Sequence, residues 1–153
     1  VSRDAANIGL LNYHLNVTNG QDVTDATVVG FTYNSVRSKP YSPVHLKGVR
    51  ATAGDISLTW VRRARIANDW VNNIDVPLDE NAEQYRIRLY DALPSNGGIL
   101  YDIIANVFGT PAYTITAATI NLWYGSPTAT VYLTVTQVST VVGDGYENEK
   151  TFT

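Results

Sequence analysis

Apolar residues alternate with polar ones at a period of two in one short run after another, and this alternation limits the fold more than any other feature of the chain. In ISLTW, Ile56, Leu58 and Trp60 fall on one side, with Ser57 and Thr59 on the other. YRIRLY sets Tyr85, Ile87 and Leu89 against Arg86, Arg88 and Tyr90, which predicts a half-buried strand with a solvated side. TVYLTVTQVS aligns Val131, Leu133 and Val135. Extended chain places successive side chains on opposite faces, so these runs suit strands and would scatter their apolar residues around a helix.

Other runs follow the same pattern between turn signals. LLNYHLNV aligns Leu11, Tyr13, Leu15 and Val17, Asn19-Gly20 supplies a tight turn, and ATVVGFTYNSV gives a β-branched and aromatic second strand. Pro40 and Pro43 then mark a boundary between an N-terminal β segment, 1–38, and the remainder, 39–153. Beyond it, Val44 and Leu46 share a face, Ala53-Gly54-Asp55 turns the chain, GILYDIIANV reads as a strand after the Pro94 to Gly98 turn, and Tyr113 and Ile115 share one side of AYTIT. Gly143-Asp144-Gly145 leads into a polar last strand ending near Phe152, and only TAATINLW, 116–123, carries a helical hint. The expected class is all-β, a two-sheet sandwich preceded by two strands.

Composition removes several functions. A chain of 153 residues is long enough to bury a core. A formal net charge of −3 with 16% charged residues argues against a nucleic-acid partner, which calls for a basic surface. With no cysteine there is neither a disulfide nor a thiolate metal site, and His14 and His45 stand apart, so no metal or other cofactor is expected. No apolar run approaches the roughly 20 residues of a membrane helix. The chain starts without Met and shows no signal-peptide pattern, so it is expected to be a processed or excised part of something longer.

PVHLKGVR, DISLTW, EQYRIRLYD, AYTI, TVYLTVTQVS and VGDGYENEKTF, with Trp60 on the second strand and Gly143 and Gly145 before the last, resemble the strands of a fibronectin type III domain over residues 43–153. One departure is that Val131 stands where such domains carry a tyrosine early in the sixth strand, so the tyrosine corner is expected to be absent or displaced to Tyr132. A narrower resemblance lies in KPYSPVHLKG, LTWVRRARI, DW, IDVPLDE and EQYRIRLYD, together with Gln137, Ser139, Gly143 and Gly145. This series is similar to the C-terminal region of the tail-tip or baseplate hub (host-specificity) proteins of gene transfer agents and tailed phages.

The resemblance implies a structural, non-enzymatic part of a virion tail tip, made in the bacterial cytoplasm and released with the particle. It also implies other tail-tip and baseplate proteins as partners, a homotrimer of the full-length hub, and an envelope glycan or protein receptor as a candidate host contact. Residues 1–38 then belong to an adjoining hub domain. The competing class is a carbohydrate-binding or spacer module of a secreted protein.

The stretch Pro43 to Glu83 carries the candidate site. Arg62, Arg63 and Arg65 follow the Trp60 strand, and Asp69, Asp75, Asp79, Glu80 and Glu83 come after them in one long connection. A long polar connection needs internal contacts to hold a shape, and arginine forks pair well with carboxylates, so these residues are expected to brace the loop. Trp70 is expected to pin the loop on the sandwich. For direct binding the candidates are Arg63, Arg65, Trp70, Trp123 and Tyr124, since Arg and Trp favour interface centres and exposed aromatics stack on sugars. A glycosidase would draw two carboxylates from Asp75, Asp79, Glu80 and Glu83, but none is marked as an acid in an apolar pocket, and neither histidine has a nucleophile beside it, so no catalytic residue is assigned.

Overall fold

The computed structural model describes residues 9–15, 27–33, 38–65 and 78–153. The chain divides into two compact units, Val1–Ser38 and Lys39–Thr153. In the first, β1 (Gly9–Leu15) pairs antiparallel with β2 (Thr27–Tyr33), running from Gly9 opposite Tyr33 to Leu15 opposite Thr27. The Asn19-Gly20 turn lies outside the described residues.

Among its described residues the second unit has seven strands in two antiparallel sheets. They are β3 (Val44–Arg50), β4 (Ile56–Val61), β5 (Gln84–Tyr90), β6 (Leu100–Phe108), β7 (Ala112–Ile115), β8 (Val131–Ser139) and β9 (Gly143–Phe152). One sheet has the order β3-β4-β7 and the other β6-β5-β8-β9. That order is the fibronectin type III arrangement, so the fold is an all-β, fibronectin type III-like sandwich.

The alternation seen in the sequence explains the core. Ile56, Leu58 and Trp60 of β4 point inward, as do Tyr85, Ile87 and Leu89 of β5 and Val131, Leu133 and Val135 of β8, joined by Leu46, Ile115 and Ile120. Trp60 and Tyr85 meet edge to face across the two sheets, with ring centroids 5.1 Å apart. Such aromatic pairs add to simple area burial.

The 116–123 segment is a true helix, α1 (Ala117–Tyr124), which carries the chain from one sheet to the other. Thr116 caps it by accepting from the Thr119 N–H at 3.2 Å, Asp55 accepts the Ala117 N–H at 2.7 Å, and Gly125 ends it at φ 73°. Two good helix formers behind a threonine cap suffice for eight residues once Ile120 is buried. Arg50, at the end of β3, ties this end together: its guanidinium donates to the Pro127 carbonyl at 2.9 Å and the Ala129 carbonyl at 2.7 Å.

The solvated side expected for β5 is corrected. Arg88 is only 8% exposed, and Tyr90, Thr134 and Thr136 around it are also buried. β5 and β8 are interior strands of a four-stranded sheet, and charges on β9 reach over them. Arg86 Nη1 meets both Asp144 carboxylate oxygens at 2.6 and 2.8 Å, Arg88 Nη2 also pairs with Asp144, and Arg88 Nη1 lies 3.2 Å from Glu147. Cross-strand ion pairs thus cover a face whose periodicity alone reads as wet.

Candidate functional site

The two described ends of the β4–β5 connection, 62–65 and 78–83, are tied together by their own charges. Arg62 Nη1 lies 3.4 Å from Glu83 Oε2, and the other Glu83 oxygen accepts the Tyr85 hydroxyl at 2.7 Å. Glu83 therefore links the first arginine of the run to a core tyrosine. Arg65 Nη2 is 2.7 Å from Glu80, whose side chain is only 5% exposed, while the Arg65 backbone N–H donates to Asp79. The Glu83 carbonyl also accepts from the Gly109 N–H at 2.9 Å, and Asn81 donates to Thr140 at 3.4 Å. The connection is thereby fastened to the β6–β7 and β8–β9 turns.

Arg63 behaves differently from its neighbours. Its guanidinium lies over the ring of Tyr41, 4.9 Å from the centroid, and both side chains are exposed. The residues expected to brace therefore part company: Arg65 engages Asp79 and Glu80 and Arg62 engages Glu83, whereas Arg63 packs on an aromatic. Asp69, Trp70 and Asp75 lie outside the described residues. Sequence reasoning passed over Tyr41, although it sits two residues before Pro43 within the same motif.

Trp123 and Tyr124 stand at the opposite end of the sandwich, where α1 meets the β3–β4 turn through Asp55 and Ala117. The Trp123 ring stacks on Tyr101, with centroids 5.7 Å apart and planes 13° from parallel. The Tyr124 hydroxyl lies 2.6 Å from the Tyr90 carbonyl and 3.1 Å from that of Tyr132, and it accepts the Tyr132 N–H at 3.3 Å. Tyr132 thus contributes its backbone, and the hydroxyl of this corner comes from α1. No pattern in TINLWY signalled this, because the contact is made between elements.

Two tyrosines are held protonated. Burial raises Tyr85 well above the usual phenol range, and the adjoining Glu83 carboxylate adds to the effect. Burial also pushes Tyr124 up to about 12. Both therefore act as hydroxyl donors at neutral pH. Among the described residues, no group of three or more His, Cys, Asp or Glu side chains could hold a metal ion. His45 is exposed, and its backbone sits at φ 52° where β3 bulges between Val44 and Lys47.

Fold and site together define the chain as a fibronectin type III-like sandwich with a charge-braced β4–β5 connection. No family model matches it, and no curated protein matches it. Among solved structures the chain is similar to domains d3–d4 of the rat CD45 extracellular region, with a TM-score of 0.45 and 15% identity over 95% of this chain. The chain spans 65% of the length of that structure. The fold assignment rests on the strand order.

Proposed function

We propose that this chain is a non-enzymatic structural domain of a phage or gene-transfer-agent tail-tip (baseplate hub) protein, contributing to assembly of the tip and to contact with the host envelope. The sequence series from Lys39 to Asp91 and the terminal Gly143 and Gly145 motivate the reading. The observation that supports it best is the pairing of Arg65 with Glu80 and of Arg62 with Glu83 and Tyr85. These motif residues are engaged with one another and with the core, which suits a part that must hold a shape under load. Its partners are then neighbouring tail-tip proteins, and its place is the distal end of the virion.

The sugar-binding alternative draws no support from Trp123 and Tyr124. One has its ring stacked against Tyr101, and the other has its hydroxyl committed to the backbone of Tyr90 and Tyr132.

The test is immunogold electron microscopy of particles released by the producing bacterium, using antibody raised against residues 39–153. Label confined to the distal end of tails is the expected result. Label on soluble secreted protein or on the cell surface, with bare particles, would overturn the reading.

A further inference from the structure

The turn between β5 and β6 holds an asparagine unlike the other described ones. Pro94–Asn96 form a single 3-10 turn, and Gly97 ends it in the left-handed region at φ 80°. Ser95, Asn96 and Gly97 are all exposed. The Asn96 side-chain amide has no hydrogen-bond partner among the described residues. A Cβ added at Gly97 would meet nothing within 4 Å. Among the described asparagines, Asn96 alone is followed by glycine. The others are placed differently: Asn81 donates to Thr140, Asn148 donates to the Pro43 carbonyl at 2.6 Å, and Asn106 accepts from Arg86 Nε at 3.1 Å. Asn121 lies inside α1 before Leu122, and Asn12 lies in β1 before Tyr13. Asp144-Gly145 pairs similar residue types, but Arg86 and Arg88 hold its carboxylate, and a Cβ at Gly145 would stand 2.5 Å from the Pro40 carbonyl oxygen.

The backbone nitrogen that follows an asparagine is placed to attack the carbon of its side-chain amide. Glycine leaves that nitrogen unshielded and lets the backbone turn to the angles that ring closure needs. In the closed turn the Gly97 N–H donates to the Pro94 carbonyl at 2.9 Å, so the turn must open before its nitrogen reacts. That bond belongs to one exposed 3-10 turn. Hydrogen bonds of this type have the poorer geometry, and exposed turns open locally at small cost.

We propose that Asn96 is a site of spontaneous modification, at which the side-chain amide is exchanged for a carboxylate through a cyclic imide with water as the co-reactant. Hydroxide takes the Gly97 N–H proton, and the nitrogen bonds to Asn96 Cγ. The Cγ–Nδ2 bond then breaks, and ammonia leaves with a proton returned from water. Water next adds to either carbonyl of the imide and breaks its bond to the Gly97 nitrogen. Opening at Cγ gives aspartate, and opening at the backbone carbonyl gives isoaspartate; nothing is oxidised or reduced. Each event puts a new negative charge in the turn whose Ser95 N–H already holds the Glu149 carboxylate at 3.2 Å. The inference is independent of the tail-tip reading.

Peptide mapping by mass spectrometry of the full chain, held folded at mildly alkaline pH, tests it, with isoaspartate counted by an isoaspartyl methyltransferase. The expected result is conversion at Asn96 at least tenfold faster than at Asn81, Asn106, Asn121 or Asn148, with isoaspartate and aspartate both formed. Gly97→Ala and Asn96→Gln are each expected to slow conversion at position 96 at least tenfold, and circular dichroism melts establish that both variants fold. In urea, where the turn is open throughout, conversion at Asn96 is expected to be faster than in the folded chain. A rate at Asn96 no greater than at the other four overturns the inference, as does conversion seen only in urea. Gly97→Ala converting at the parent rate also overturns it. So does aspartate formed without isoaspartate, which marks direct hydrolysis of the amide and no ring closure.

Discussion

The hydroxyl of Tyr124 lies 2.6 Å from the carbonyl oxygen of Tyr90, which ties the last turn of α1 to the end of a central strand. The same oxygen accepts the Tyr132 N–H, so one side chain holds β5, β8 and α1 at the end of the β5–β8 ladder. Tyr124→Phe leaves these backbone groups unpaired in a half-buried position. The expected cost is about 1–3 kcal/mol, read from urea denaturation.

Alkaline pH probes the same bond. Burial raises Tyr124 from its ordinary value of 10 to about 12, so the folded chain holds this proton more tightly than the unfolded one. Stability from this group is full below pH 10 and is lost as pH rises toward 12. Burial raises Tyr85 in the same direction. Thermal melts are expected to fall progressively above pH 10, and less steeply in Tyr124→Phe. A variant whose alkaline profile overlays that of the parent would remove Tyr124 from this account.

The arginines of the β4–β5 connection are expected to separate in a stability assay. Arg65→Ala strips the partner from a Glu80 side chain that is almost wholly buried, and the expected loss is about 1–3 kcal/mol. Arg63→Ala removes an exposed stacking contact on Tyr41, for which the expected loss is about 0.5–1 kcal/mol. Equal losses in chemical denaturation would contradict the division drawn between the two side chains.

Gly48 is where β3 and the end of β9 come close. A Cβ added there would stand 2.4 Å from the Phe152 ring. Gly48→Ala is therefore expected to displace the ring and destabilise the fold by about 1–3 kcal/mol. Combining it with Phe152→Leu, which relieves the crowding, is expected to cost less than the sum of the two single changes. A double-mutant cycle that is additive would argue against the contact.

His45 carries the opposite prediction. Its φ of 52° places a side-chain-bearing residue in the left-handed region. That conformation costs about 1–2 kcal/mol, partly offset in a glycine variant by the greater entropy of its unfolded chain. His45→Gly is expected to raise stability by about 0.5–1 kcal/mol, seen as a higher melting temperature. His45→Val, branched at Cβ, is expected to lower it.

The division between sequence and structure runs through particular residues. Ile56, Leu58 and Trp60, like Val131, Leu133 and Val135, announced their strands and their inward face, because period-two alternation is a local property of extended chain. TAATINLW carried only a hint of the helix that Thr116 and Gly125 cap in the structure, since its ends are fixed by contacts with Asp55 and by the burial of Ile120. Arg88 misled, since the alternation of YRIRLY is the same whether or not acids on a distant strand close over it.

What the sequence by itself determined is the class of the fold and the inward face of most of its strands, since alternation and turn residues act over a few positions of chain. Only the tertiary structure decided which charge meets which: that Arg65 takes Glu80, that Arg63 turns to Tyr41, and that Asp144 covers Arg86 and Arg88. Arginine reaches any carboxylate that folding brings within a side chain's length, so these choices depend on distances that exist only once the two sheets have packed.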